Sequence, residues 1–385
     1  MKSRFIKLTG LTLLLLAAAV IISTPASAIE LQARSAILVE ANTGQVLYEQ
    51  NPDEELPPAS ITKIMPMLMA MEAVEEGEIS LDDEVTVSSR AEDMGGSQIF
   101  LEAGTALTVE ELLKAITISS ANDATYALSE YLGGTYSGFI EMMNERVAEL
   151  GMENTNFENS TGLPADNHYS TARDIAKMSR EVVQYPEIRE WGQIWSEYLE
   201  LPDREALLAN LNQLVRDYPG MDGIKTGRTQ EAGYCLAASA EREGMRLISV
   251  VLNAESDQER QDQTRKLLDY GFGNYVQETV IEEGDSIQNI SFPGSSEEEV
   301  SARAAEDLTA LRERGEDLDY DREVSIIEDF EFPIAEGEKM GEMRLVDGDE
   351  IINSIDLIAE EDIVEAGIVS RIIRSVGDIV DGIFE

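Results

Sequence analysis

The sequence predicts helices and sheet on one core over its larger part, an α+β or three-layer α/β arrangement. A small β-rich domain and a C-terminal amphipathic helix are expected to follow. Three observations carry this. Strand pairs and amphipathic helical runs follow one another from about Ala36 to Val251. From about Val280 the texture changes to short alternating runs separated by turn signals. Within residues 361–385, Val364, Ile368, Ile372, Val376, Ile379 and Ile383 recur at helical spacing.

In chain order, Lys2, Arg4 and Lys7 precede the apolar run Leu11 to Ile22, and Ala26-Ser27-Ala28 follows as a small-x-small cleavage site. This is the pattern of an export signal over residues 1–28, with the exported chain starting at Ile29. An uncleaved anchor is the alternative, but about 12 apolar residues fall short of the roughly 20 that a span needs. Ala36-Ile37-Leu38-Val39 and Gln45-Val46-Leu47-Tyr48 flank Asn42-Thr43-Gly44 and predict a hairpin. A helix is expected from about Ser60 to Glu76. Thr108-x-x-Glu111 is a capping-box signature ahead of Leu112, Leu113 and Ile116. Further helices are expected over Ser137 to Leu150 and Ser170 to Val183. Tyr234 to Ala240 and Met245 to Val251 read as a second hairpin, with Lys225 closing a turn ahead of it. The β-rich runs are Ile287 to Phe292, Val324 to Ile327, Met343 to Val346 and Ile351 to Ile358. The highly charged stretch Ser295 to Glu323 reads in part as a poorly ordered connector.

The formal net charge is −47, from 29 Lys and Arg against 76 Asp and Glu, and the acids are spread along the chain. Such self-repulsion destabilises a compact state at low salt and is screened as the Debye length shrinks to about 3 Å near 1 M salt. Adaptation to a salty exterior is expected, an ordinary acidic protein being the alternative. Nucleic acid is a poor partner for this surface, and none is expected. Cys235 is the single cysteine, so no intramolecular disulfide can form, and its apolar neighbours make it a buried small hydrophobe. His168 is the single histidine, which excludes a multi-histidine metal site; its polar loop suggests a structural role.

Three short motifs carry the chemistry: Ser60-Ile61-Thr62-Lys63, Ser120-Ala121-Asn122 and Lys225-Thr226-Gly227. Each alone has an ordinary reading: a helix start with a solvated lysine, an N-cap for the helix holding Ala124, Ala127 and Leu128, and a turn. Together and in this order they form the S-x-x-K, S-x-N and K-T-G set of a serine acyl-transfer site. A serine hydroxyl is a poor nucleophile at neutral pH and needs a base. Positions i and i+3 share a helix face, so Lys63 meets Ser60. A lysine serves as base only when burial or a second cation lowers its pKa, and Lys225 is the candidate cation. The positive end of a helix dipole at Ser60 favours the oxyanion as it develops. Gly227 permits close approach of a ligand backbone.

With these motifs the chain resembles the low-molecular-mass penicillin-binding proteins of the D-alanyl-D-alanine carboxypeptidase type. The resemblance is carried by Pro58 to Met65, by Ser119 to Ala124, and by Tyr218-Pro219-Gly220-Met221-Asp222-Gly223-Ile224-Lys225-Thr226-Gly227 with Thr229 and Ala232-Gly233. It covers Ile29 to Phe272 and, more loosely, Phe332-Pro333-Ile334 and Gly337 to Gly341. It implies the α+β fold of serine β-lactamases and penicillin-binding proteins, a central antiparallel sheet with helices. The implied domains are a D,D-peptidase domain over 29–278, a β-rich domain over 279–360 and a membrane-associating helix over 361–385.

The resemblance also implies roles. Ser60 attacks the carbonyl of the penultimate D-alanine of a peptidoglycan stem peptide, Lys63 takes its proton, and Ser120 relays a proton to the leaving amine. Asn122 binds the stem, Lys225 supplies positive potential, and Thr226 helps hold the terminal carboxylate. The backbone N–H groups of Ser60 and Arg228 form the oxyanion hole, and Arg260 supports carboxylate recognition. β-Lactam antibiotics acylate the same serine, and no metal or cofactor is needed.

The terminal helix is implied to lie on the outer face of the cytoplasmic membrane. Residues 361–385 depart from the usual basic pattern, with six acids against two arginines. Salt-dependent membrane binding is therefore expected, with packing on the β-rich domain as the alternative. Pro66, inside the expected first helix, predicts a kink or a bridging water, since an interior proline costs roughly 3 kcal/mol. A β-lactamase on the same walls would add a glutamate that activates the deacylating water. Between Ser120 and Lys225 no E-x-x-L-N pattern occurs, and the loop Asn154 to Asp166 offers only Glu158 without that context. The same three walls would also serve a D,D-endopeptidase or a transpeptidase. A protein that binds peptidoglycan without cleaving it is the reading from outside enzymology, and intact Ser60, Lys63, Ser120 and Lys225 argue against it.

Overall fold

The computed structural model describes residues 29, 31–291, 299–316, 320–327, 330, 332–348 and 350–364. The expected export signal over 1–28 and most of the expected amphipathic helix over 361–385 lie outside the described residues. Strands β1 (Ser35–Glu40) and β2 (Val46–Gln50) form the first expected hairpin. A 3-10 turn over Ala59–Lys63 then leads into α1 (Ile64–Glu75). A short ribbon of β3 (Glu84–Thr86) and β4 (Ala106–Thr108), with α2 (Ser89–Glu92) between them, precedes α3 (Val109–Ser119). The capping box forms: Glu111 N–H donates to Thr108 Oγ1, and Thr108 N–H donates to the Glu111 carboxylate. Helices α4 (Asn122–Gly133), α5 (Tyr136–Glu149), α6 (Ala172–Val182) and α7 (Pro186–Gln193) follow.

Beyond them come the hairpin of β5 (Ser196–Glu200) and β6 (Glu205–Ala209), which the sequence pattern did not reveal, and the single turn α8 (Leu214–Asp217). The strands β7 (Met221–Thr229), β8 (Gly233–Arg242) and β9 (Met245–Ala254) and the helix α9 (Asp257–Asn274) complete this part. Its antiparallel sheet runs in the order β2-β1-β9-β8-β7. Both faces are covered, which is why β1 and β9 read as near-continuous apolar runs rather than alternating ones. Ile37, Val39, Ile248 and Val250 belong to the core shared with α1, α3, α4 and α6. Leu38 and Leu247, on the opposite face by strand alternation, pack against Gly271 of α9.

Two expectations are corrected here. Pro66 is the third residue of α1, not an interior one, because the chain switches from 3-10 to α geometry at Ile64. A proline in a first turn removes an N–H that needs no intrahelical partner, so no interior-proline penalty arises. Lys225-Thr226-Gly227 lies within β7 rather than in a turn before a strand. Over its described residues, the charged stretch Ser295 to Glu323 is mainly strand, and residues 295–298 and 317–319, where the expected connector could fall, lie outside the described residues. The stretch holds β12 (Glu299–Ala304) and β13 (Leu308–Glu313), with Val300, Ala302, Ala304, Leu308 and Ala310 buried. Charges on the outward positions hid the period-two alternation of β12 from a compositional reading.

The β-rich part also contains β10 (Tyr275–Ile281), β11 (Ser286–Ser291), β14 (Asp321–Ile326), β15 (Lys339–Asp347) and β16 (Glu350–Ala359). Its main sheet has the order β11-β12-β16-β15-β14, and β10 pairs with β13. Val300, Leu308, Ile334, Leu345 and Leu357 anchor a core of its own. Among the described residues, no helix is long and apolar enough to cross a membrane.

Candidate active site

Ser60 sits in the 3-10 turn, and the next turn of backbone brings Lys63 beneath it. Lys63 is fully buried, with Nζ 3.0 Å from Ser60 Oγ and donating to the Thr161 carbonyl at 2.8 Å. The turn is held from several sides. Ala59, just before the serine, has a left-handed φ of 50°, a conformation that costs a non-glycine residue about 1–3 kcal/mol and needs support. Thr62 Oγ1 donates to the Ala59 carbonyl at 2.8 Å. Gly162 lies against the same carbonyl: a Cβ there would fall 1.8 Å from Ala59 O. On the other side a Cβ at Gly227 would come within 2.8 Å of Pro58 O, so a glycine lets β7 lie flush against the turn.

Ser120 is not an N-cap. It ends α3 in left-handed geometry at φ 60°, and the Ala121 N–H reaches back to the Ala115 carbonyl. This sharp exit aims Ser120 into the cleft before α4 begins at Asn122. Asn122 Nδ2 donates to the Gly95 carbonyl at 2.6 Å, and its backbone N–H donates to the Ser97 carbonyl at 2.7 Å. Among the described residues, Ser120 Oγ and Asn122 Oδ1 are buried with no hydrogen-bond partner. Unpaired buried polar atoms are uncommon, and here two of them belong to one motif.

The third wall is β7, an edge strand. Its first half is closed: a Cβ at Gly192 of α7 would meet Asp222 O at 2.2 Å, and Asn212 Nδ2 donates to the Gly223 carbonyl at 3.1 Å. The second half, from Lys225 onward, borders a cleft of about 330 Å³ lined by Ser60, Ser97, Ser120, Thr226, Gly227, Arg228, Arg260 and others. Arg260 reaches in from α9, donating to the Cys235 and Leu211 carbonyls at 3.2 and 3.3 Å and pairing with Asp257 at 2.6 Å. Arg228 and Arg260 both lie over the Tyr234 ring, at 4.9 and 5.8 Å from its centre. A strongly acidic protein thus sets two guanidiniums on the wall of a small cleft, Arg260 paired with Asp257 there and the Lys225 amine buried next to Thr226 in β7, a setting suited to a carboxylate.

The electrostatics follow from burial. Desolvation, reinforced by the charge of Lys225, holds Lys63 well below its ordinary pKa, and the Asp123 carboxylate partly opposes this. Lys225 is pushed down to about 7 by burial and then by Arg260. The charge of Lys225 acts on Lys63 in the direction expected of a second cation. The geometry offers a serine hydroxyl beside a buried amine whose burial favours its neutral form, a second hydroxyl with no partner, and cations placed for an anion.

Residues 22–256 match the family profile described as D-alanyl-D-alanine carboxypeptidase, peptidase S11. The chain belongs to this family. Residues 275–365 match the profile of the penicillin-binding protein 5 C-terminal domain. The D-alanyl-D-alanine carboxypeptidase DacF of Bacillus subtilis is 40% identical over 349 residues, covering 90% of each chain. A peptidoglycan synthesis regulatory factor (PBP3) from Streptococcus pneumoniae superposes with a TM-score of 0.72 at 30% identity, over 87% of this chain and 100% of that one. Penicillin-binding protein D2 from Listeria monocytogenes, in its ampicillin-bound form, matches with a TM-score of 0.57 at 33% identity, over 63% of this chain and 99% of that one. The fold is thus that of the penicillin-binding proteins, with a C-terminal β-rich domain.

Relative to the motif residues of this carboxypeptidase family, the structure adds several that sequence reading passed over. Asp123 is buried beside Lys63 and accepts the backbone N–H groups of Ile99 and Leu101, at 3.1 and 3.0 Å, so it shapes the wall that carries Ser97. An acid directly after S-x-N on an apolar helix face was the available signal. Thr161 contributes only a carbonyl, which no side-chain pattern reveals. His168 contacts the nucleophile turn through Thr62. Cys235 is buried as expected, and burial pushes its thiol up to about 11. Glu158, the carboxylate considered for a β-lactamase, is exposed and lies outside the cleft lining.

Proposed function

We propose that this chain is a serine-type D-Ala-D-Ala carboxypeptidase that trims the terminal D-alanine from peptidoglycan pentapeptide stems through an acyl-enzyme on Ser60. The observation that carries the reading is the buried Lys63 amine 3.0 Å from Ser60 Oγ. Lys63, its pKa lowered by burial and by the charge of Lys225, accepts the Ser60 proton in its neutral form as Oγ attacks the penultimate D-alanine carbonyl. The N–H groups of Ser60 and Arg228 hold the oxyanion. The C–N bond then breaks, and Ser120 passes a proton to the leaving D-alanine amine. Asn122 Oδ1 takes a stem N–H, while Lys225, Thr226, Arg228 and Arg260 hold the terminal carboxylate, with Gly227 giving room for the substrate backbone. Water cleaves the ester, releasing the shortened stem and restoring Ser60. β-Lactams enter the same site and acylate the same oxygen.

The unpartnered Ser120 Oγ and Asn122 Oδ1 support these roles. The test is D-alanine release from a pentapeptide ending in D-Ala-D-Ala, in molar salt, together with covalent penicillin labelling. Both are expected from the intact chain, and neither from Ser60→Ala. Folded wild-type protein that neither releases D-alanine nor takes the label would overturn the reading.

The proposal includes export after residue 28, a peptidase domain over 29–278 and a β-rich domain over 279–360. Residues 361–385 are read as a membrane-surface segment, supported by their apolar stripe. Vesicle co-sedimentation in high salt, lost on cutting at Glu360, tests it; equal binding of both forms would remove the anchor.

A further inference from the structure

On a surface with so many carboxylates, large exposed apolar side chains gather beside the catalytic cleft. Trp195 and Leu211 line the cleft and remain partly open to solvent. From Trp195 the β5–β6 hairpin runs outward. Tyr198 and Leu207 are directly opposite in its register, so they share one face, and they are 65% and 54% exposed. Their strand neighbours Leu199 and Ala206 form the next pair and are buried. The hairpin is therefore anchored by one face and carries an exposed apolar pair on the other, between Ser196/Ala209 and Glu200/Glu205.

Phe100 completes this rim. It is 69% exposed and its φ is 58°, a genuine outlier for a bulky residue. Two charged groups hold it there. Asp123 accepts the N–H groups on either side, at Ile99 and Leu101. Arg204, from the hairpin turn, donates to the Ile99 and Phe100 carbonyls at 2.7 and 2.6 Å. A strained backbone braced from both sides so that a phenyl ring faces water is a feature of binding surfaces rather than of cores. Arg204 also makes loop and hairpin one unit.

We infer that this rim binds the part of the substrate that cannot enter the cleft: the first three stem residues and the amino sugar that bears them. The inference rests on the proposed function and on the short reach along the hairpin from the cleft-lining Trp195 and Leu211 to Tyr198 and Leu207. Dimensions agree. Three extended stem residues span about 10 Å. The three residues from Trp195, just ahead of β5, to Tyr198 span at most about 10 Å. Aromatic and leucine side chains suit the alkyl chains of a peptide and the apolar face of a sugar ring.

The test compares N-acyl-D-Ala-D-Ala with a disaccharide pentapeptide, using the full chain in molar salt. Binding to Ser60→Ala and D-alanine release are both measured, with Phe100→Ser and a Tyr198→Ser/Leu207→Ser double variant. The expected result is about a tenfold loss of affinity and of kcat/KM for the disaccharide pentapeptide, about 1.4 kcal/mol. The dipeptide should change less than about twofold, and penicillin acylation should keep its rate. Equal losses on both ligands would make the rim a mere support of the cleft and overturn the inference. No loss on either would also overturn it, leaving the rim to a protein partner or a second copy of the chain. Absence of D-alanine release by wild type would count against the proposed function alone, because the binding comparison reads the rim independently.

Discussion

His168 Nε2 lies 2.7 Å from Thr62 Oγ1, one residue before the buried Lys63. The ring's other nitrogen, Nδ1, accepts the Glu158 N–H at 3.0 Å, so the proton sits on Nε2 and is donated to Thr62. Thr62 in turn donates to Ala59 O, which closes a chain from the loop at Glu158 to the strained residue before Ser60. His168→Ala leaves a backbone N–H and a buried hydroxyl acceptor unpaired. We expect a loss of about 2–3 kcal/mol in urea unfolding and slower penicillin acylation. His168→Gln, which can restore one of the two bonds, should recover part of both. Unaltered acylation in His168→Ala would detach this chain of bonds from the nucleophile.

The same histidine sets an acid limb of stability. Burial lowers it from 6.5 to about 4. Between those values the unfolded chain binds the proton and the folded one does not. Its contribution is therefore complete above about pH 6.5 and lost progressively as pH falls to about 4, amounting to about 3 kcal/mol. Urea midpoints at pH 7.5 and 4.5 should differ less in His168→Gln than in wild type.

Catalysis should show a limb of opposite direction. Lys225 must be charged to attract a carboxylate, and it loses its proton near 7 in the free enzyme. kcat/KM for D-alanine release is expected to fall as pH rises through that region, mainly through KM. Lys225→Arg, which keeps its charge, should shift the limb upward even where its rate is lower. A limb that stays in place would assign it to another group.

Gly162 and Gly227 test how tightly the nucleophile turn is clamped. Gly162 has φ 79° and no space for a Cβ, so Gly162→Ala should lose at least about 2 kcal/mol and most acylation. Gly227→Ala meets Pro58 O at 2.8 Å and should be milder in stability while still slowing acylation. Thermal melts and a penicillin time course separate the two.

How much of this was legible in the sequence depended on the range of the interaction. Ser60 with Lys63, the Thr108 capping box and the β8–β9 hairpin rest on neighbours a few residues apart, and they were legible. The β5–β6 hairpin was missed because Asp203 and Arg204 in its turn, together with flanking glutamates, resemble a polar loop; its outer face exposes Tyr198 and Leu207 without alternation of the usual sign. Thr161 and His168 reach the site across the fold, and only tertiary packing brings them to Lys63 and Thr62. The position of Lys225 in a strand rather than a turn was obscured by Gly223 and Gly227, which read as turn residues but serve close packing.

The charge of −47 predicts a strong salt response. Raising sodium chloride from 0.1 to 3 M is expected to lift the melting temperature by about 10 °C, with the steepest rise below 1 M where screening changes most. A flat response would deny the acids any part in salt tolerance.

The half-closed β7 edge has a consequence for self-association. Exposed strand edges invite pairing with the edge of another copy, and a site that admits an extended ligand must leave one open. Here α7 and Asn212 occupy the edge at Asp222 and Gly223, so pairing positions remain only from Lys225 onward, beneath the hairpin rim. That opening is short enough to take a peptide terminus but gives a second copy's strand little length to add to the sheet.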